Sequence, residues 1–297
     1  MFHKGARVHG SQRIEAFDVI RGFSLVSMIA FHACYDLVSL YGVSLTWFVF
    51  PYIDLWRNSI AWVFIFLAGM MCSYSMHKVK RCVVYLVCAF LIYVVTTLVA
   101  VDIPINFGII FCLGMSTTVV TLVSYMLLRV AKTAAFVKLS AVVPSLMVKV
   151  GTLILLCVML GLFGITYHIP HGYISFFQYT WRLPACLYSS YVTAAFGFAP
   201  SYFQSGDYYP IFPYLFLYSS GALAGWLSKP YVMTLQTARS RKESVTLTHG
   251  SSGALLVYGL TFIKNLLAFM GRHSLQIYVL HQPLLCVLIF LCMSMRV

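Results

Sequence analysis

The run RIEAFDVIRGFSLVSMIAFHACYDL at 13–37 is apolar enough to form a membrane helix, yet it carries Asp18, Arg21, His32 and Asp36. Ionisable groups at membrane depth are costly and by default mark function. At about 100° per residue, Arg21 and His32, eleven positions apart, project almost in line. Asp18 stands one turn before Arg21 and Asp36 one turn beyond His32, so one polar stripe runs down a greasy helix. Asp18 is placed to pair with Arg21, and Asp36 to orient His32 and stabilise its imidazolium. A neutral histidine can take a proton from an attacking hydroxyl or amine, or itself carry an acyl group as nucleophile. The plainer alternative makes Asp18 and Arg21 an interfacial anchor and His32 a packing residue.

A second histidine, His281, lies in GRHSLQIYVLHQP at 271–283, with Arg272, Ser274 and Gln282 around the start of a final apolar run. These three are candidate substrate contacts, and Pro283 fits a helix start or kink. In GDYYPIFPYLFLYSSGALAG at 206–225, Asp207 and Tyr209 stand at the mouth of another helix. Asp207 could accept a hydrogen bond from a substrate or cap the helix that begins beside it. Gly221 and Gly225 are spaced as GxxxG, which serves close packing. Lys78, Lys80 and Arg81 form a basic cluster suited to a polyanionic cofactor, or to setting orientation alone. No metal-ligand spacing, nucleophile elbow, phosphate loop or dinucleotide fingerprint occurs; His168 and His171 have no acidic or cysteine partner beside them, and no metal is expected.

The elements that must position these residues are membrane helices. With 61% apolar residues and 9% charged, the chain cannot be dressed as a water-soluble globule. Disorder, a collagen-like repeat and a disulfide scaffold are excluded by the same composition, and the nine cysteines read as small buried hydrophobes. The excess of 20 Lys+Arg over 7 Asp+Glu reports cytoplasmic loops and anionic lipid headgroups, not nucleic acid.

Apolar windows near 19–40, 58–76, 82–101, 105–128, 150–167, 208–227 and 273–294 predict an all-α polytopic transmembrane bundle. It has seven spans, or eight if the shorter 254–269 crosses instead of lying at the interface. Basic residues alternate between connections. Lys4, Arg7 and Arg13 precede the first helix, Lys78, Lys80 and Arg81 follow the second, Arg129, Lys132, Lys138 and Lys149 follow the fourth, and Lys229, Arg239, Arg241 and Lys242 follow the sixth. The N-terminus is therefore expected in the cytoplasm, and Asp54, Asp102 and the segment 168–207 on the far side. Ala185–Ala199 within that segment reads as re-entrant or interfacial. Residues 1–18 form a cytoplasmic segment without a cleavable leader, 19–297 a single membrane domain, and 228–252 a flexible cytoplasmic linker within it.

Taken together, the R-x10-H arrangement with its preceding Asp, FIFLAGMMCS at 64–73, FGI at 107–109, DYYPIFPYL at 207–215 and the terminal GRxSLxIYxLHQP resemble the heparan-alpha-glucosaminide N-acetyltransferase catalytic-domain family, in its compact bacterial form. The resemblance implies transfer of an acetyl or related acyl group from coenzyme A on the cytoplasmic side to a sugar or amino sugar beyond the membrane, in a bacterial inner membrane. It also implies that Arg21, His32 and His281 are the motif residues, with acetyl-CoA as donor. Residues 33–57 hold no histidine, where lysosomal members carry a working one, so the chemistry must rest on His32 or His281. A proton-coupled transporter or flippase would use the same intramembrane charges, but the paired repeats common in transporters are not visible. Membrane lipids are the expected surroundings, and self-association is left open.

Overall fold

The computed structural model describes residues 14–99, 103–132, 144–243 and 254–295, and for 233, 235–243 and 254–257 the backbone alone. Lys4, Arg7, Arg13, Asp102, Lys138 and the stretch 244–253 lie outside the described residues. Long helices dominate: α1 (Glu15–Ser39), α2 (Tyr52–Tyr74), α3 (Lys78–Val99), α4 (Ile109–Ala131) and α5 (Ser145–Thr166). After a far loop come α7 (Ile211–Glu243), α8 (Ala254–Arg272) and α9 (Ser274–Ser294). Among the described residues, six stretches, α1 to α4, Ser145–His171 and α9, are long and apolar enough to cross a membrane. The expected count of seven or eight is not reached by that measure. The missing window is α7, whose Tyr, Ser and Gly content has a structural cause: it packs against α2, α4 and α5 inside the bundle. A helix wrapped in protein has no need of a lipid-facing apolar coat. By contrast α3 and α5 are peripheral and expose Val83, Phe90, Leu98, Leu146 and Ile154.

The core lies where α1, α2, α4 and α7 meet, around Leu25, Ile65, Leu113 and Tyr218, all nearly inaccessible. Gly221 and Gly225 place α7 directly on the backbone of α2 at Phe66 and Met70, where any Cβ would collide. The buried Tyr218 hydroxyl meets the Thr117 hydroxyl at 2.7 Å and ties α7 to α4.

The last two helices follow α1. Gly22 abuts the Leu267 backbone and Gly271 the Asp18 backbone, Lys264 Nζ lies 3.0 Å from Glu15, and the His281 ring faces the His32 ring. Residues rising in number along α1 therefore meet residues rising along α8 and α9, so these helices run head to tail in the direction of α1. The 254–269 stretch is neither an isolated interfacial helix nor a span with its own return. It is the first half of one path, broken at His273 where the backbone leaves helical geometry (φ −102°, ψ 24°).

Between α5 and α7 the chain folds into a small lobe where the sequence predicted a re-entrant segment. A hairpin pairs β1 (Tyr173–Phe176) with β2 (Tyr179–Arg182), antiparallel, with Tyr173 opposite Arg182. The apolar Ala185–Ala199 breaks into a 3-10 turn, Ala185–Tyr188, and a single helical turn, α6 (Tyr191–Ala194), begun by Ser190, whose hydroxyl accepts the Val192 N–H at 3.2 Å. No element there is long enough to enter a membrane as a helix. The linker expected from residue 228 is likewise helical as far as Glu243, through Pro230. The Leu, Gln, Ala, Arg and Lys content of that stretch favours helix, and bases in a last turn suit the helix dipole.

Candidate active site

His32 on α1 and His281 on α9 stand side by side, ring centroids 4.9 Å apart. His281 is 8% exposed, and its Nδ1 lies 2.6 Å from the Tyr278 carbonyl one turn earlier. A carbonyl only accepts, so Nδ1 carries the proton and Nε2 presents a bare lone pair. That Nε2 is buried without a hydrogen-bond partner among the described residues. His32 packs edge-on against Phe31, which with Phe48 and Trp56 builds an aromatic wall across the same end of the bundle.

Asp36, one turn beyond His32 on α1, is 2% exposed and has a partner on α9. Its two carboxylate oxygens each accept a hydrogen bond from Gln282 Nε2, both at 3.0 Å. The reason is the register of α9, which brings Gln282 onto the α1 face that carries Asp36. Holding the Gln282 nitrogen on Asp36 turns its Oε1 away, and that atom too is buried without a hydrogen-bond partner among the described residues. Two acceptors on adjacent residues, His281 Nε2 and Gln282 Oε1, thus wait for donors.

Tyr278 joins this pair to the far loop. Its ring lies 5.5 Å from His281, and its hydroxyl donates to Asp207 Oδ2 at 3.3 Å. The same oxygen accepts the Ile109 N–H at 3.1 Å, so Asp207 caps α4 instead of the helix beside it in sequence. Burial pushes the Asp207 carboxyl above the usual carboxylate range, against the opposing pull of the Ile109 N–H, the Tyr278 hydroxyl and the Arg57 charge. Tyr209 is a core residue packed on Tyr214, its N–H donating to the Phe107 carbonyl at 3.0 Å.

A second cluster forms nearer the start of α1. Arg21 is 7% exposed and shares its surroundings with Arg81, Tyr85 and Tyr218. Asp18 is buried and its charge acts on Arg21, which also feels Tyr85 and Arg81 from α3 and Tyr218 from α7. Arg81 donates to the Met71 carbonyl at 3.2 Å and to the Tyr85 hydroxyl at 3.3 Å. Two guanidiniums thus converge in a mostly buried place, while Lys80 is exposed and Lys78 half-buried at the opening turn of α3. Arg272 is exposed and Ser274 follows the break at His273, both about two turns or more before His281, so the fold does not bring them to the histidine pair. No group of three His, Cys, Asp or Glu able to hold a metal ion occurs among the described residues.

Residues 13–283 match the family described as heparan-alpha-glucosaminide N-acetyltransferase, catalytic. The chain belongs to that family. No curated protein and no solved structure matches it. Family membership makes this an acetyltransferase-like integral membrane enzyme, and the match begins just before α1 and ends just after His281. Sequence reasoning missed Tyr278 in this N-acetyltransferase-family site, although a tyrosine three residues before a membrane histidine, on one helix face, was a usable signal.

Proposed function

We propose that the protein transfers an acetyl group from coenzyme A to a hydroxyl or amine of a sugar or amino sugar, with His281 as the base. The observation that carries this reading is the buried, unpartnered Nε2 of His281, its tautomer fixed by the Tyr278 carbonyl, beside His32. As the acceptor oxygen or nitrogen attacks the thioester carbonyl, His281 Nε2 takes its proton, and the coenzyme leaves as the thiol once a proton is returned to sulfur. Gln282 Oε1 accepts a second donor of the acceptor and so aims it, and His32 lines the opposite side of the reacting centre.

Arg21 and Arg81 bind the phosphates of the coenzyme. Eleven residues of α1 separate Arg21 from His32, a rise of about 16 Å, which the long arm of a coenzyme A thioester can bridge. The alternating basic residues support a cytoplasmic N-terminus, which sets the arginine cluster near the cytoplasm and the histidines toward the far side of a bacterial inner membrane. With α7 and the joined α8–α9 path each counted as one crossing, seven crossings result. The test is to incubate the purified protein in liposomes with radiolabelled acetyl-CoA and glucosamine. Label on the sugar with stoichiometric thiol release supports the reading; coenzyme binding without transfer, together with sugar flux dependent on His281, replaces it with transport.

A further inference from the structure

We propose that a cavity of about 410 Å³ between α3 and the start of α4 receives the hydrocarbon tail of a lipid-linked acceptor. The inference rests on the acyl-transfer reading and narrows its acceptor from a free sugar to an amphiphile. The walls of the cavity are apolar, with Leu86, Ala89 and Phe90 on α3, and its polar end holds Asn106, Asp207 and Tyr278. One wall is a helix that packs on α4 and otherwise faces outward, and Phe90 on its rim is 64% exposed. A tail can therefore enter sideways from the membrane without leaving an apolar medium.

The polar end is one side chain from the histidine pair, because Tyr278 lines the cavity and its ring lies 5.5 Å from His281. A headgroup resting on Tyr278 and Asp207 meets acceptors suited to hydroxyl or ammonium donors, with the Tyr278 side chain between it and His281. The acyl chain of the donor is the less suitable occupant. The guanidiniums of Arg21 and Arg81, which suit the coenzyme, lie in the opposite direction along α1 from the histidines.

The test uses the full chain in lipid nanodiscs, with octyl glucosaminide bearing a diazirine at the chain end as probe, and methyl glucosaminide as its tailless counterpart. Photolabel should concentrate on the peptides holding Leu86–Phe90 and 105–111. In acetyl transfer the octyl compound should have a KM lower than the methyl one by about a hundredfold or more, after correction for its partition into lipid. Ala89→Trp, which fills the cavity, should remove both the label and the preference while leaving transfer to methyl glucosaminide unchanged; Leu86→Ala, which widens it, should shift the preference to longer tails and keeps the question open to an answer if Ala89→Trp does not fold. Label spread equally over α3 and α5 and indifferent to both substitutions overturns the proposal. So does a chain-length preference that follows the acyl group, octanoyl-CoA over acetyl-CoA, and not the acceptor. Cavity labelling that obeys the two variants while no amino sugar is acetylated retains the tail site and sinks the acyl-transfer reading instead.

Discussion

Replacing His281 by Phe should produce a protein at least as stable as the original and nearly inactive. The buried Nε2 without a partner costs about 1–3 kcal/mol in desolvation, and Phe removes that cost while filling a similar volume. The loss is the 2.6 Å bond from Nδ1 to the Tyr278 carbonyl, about 0.5–1.5 kcal/mol, and that carbonyl keeps its ordinary helical partner four residues on. The balance favours the variant by about 1 kcal/mol. Turnover should fall by about two to four orders of magnitude, the worth of a positioned base, or about 3–5 kcal/mol on the barrier. Melting temperature in detergent and acetyl transfer per folded molecule, measured on one preparation, give both quantities. A variant destabilised by more than about 2 kcal/mol that keeps full turnover per folded molecule would mean that the histidine is structural and that the orphaned nitrogen has been misread.

The arginine cluster makes a comparable claim: Arg21→Lys should weaken acetyl-CoA binding although charge is kept, because a fork becomes a point charge, and equal affinities by calorimetry would remove Arg21 from the phosphate site. Gln282→Met should unfold more readily by about 1.5–3 kcal/mol, since Asp36 loses the Gln282 amide in a buried place, and Asp36→Asn should recover much of that loss; a double-mutant cycle showing no coupling refutes the pairing. Asp207, with its carboxyl raised by burial, favours the protonated form when folded, so its contribution is full below the ordinary carboxylate pKa and is lost as pH rises through the raised one. Melting curves taken from about pH 4 upward should show that decline in the native protein and not in Asp207→Asn, and identical pH profiles would exclude it.

The helices were legible because hydropathy at membrane length is a strong signal, and because the charges of α1 break an otherwise uniform run. Pairings between helices were not, since they depend on register. Asp36 and His32 are neighbours on one face, which made their pairing the natural inference, while the contact of the carboxylate with Gln282, 246 residues away, had no local signal. Asp207 was read as a substrate contact or as the cap of the helix beside it, and the N–H it accepts belongs to Ile109, 98 residues earlier. The β1–β2 hairpin escaped notice because YISF and YTWR are short and aromatic, with neither Asn-Gly nor Asp-Gly between them to announce the turn. In α7 the buried environment itself lowered hydropathy, so its polar and small residues described its neighbours more than its depth.

The head-to-tail course of α8 and α9 beside α1 bears on how the molecule is made. His32 stands on the first and His281 on the last of the described helices, so during synthesis His32 waits in the membrane with its partner still untranslated. The helices from α2 to α8 are therefore made before the two histidines can meet. The groove on α1 formed by Gly22 and completed by Gly271 from the other side is then a docking slot held open for a late arrival. A cut between Glu243 and Ala254 would leave the two halves of that slot on separate fragments, each carrying one of the two glycines.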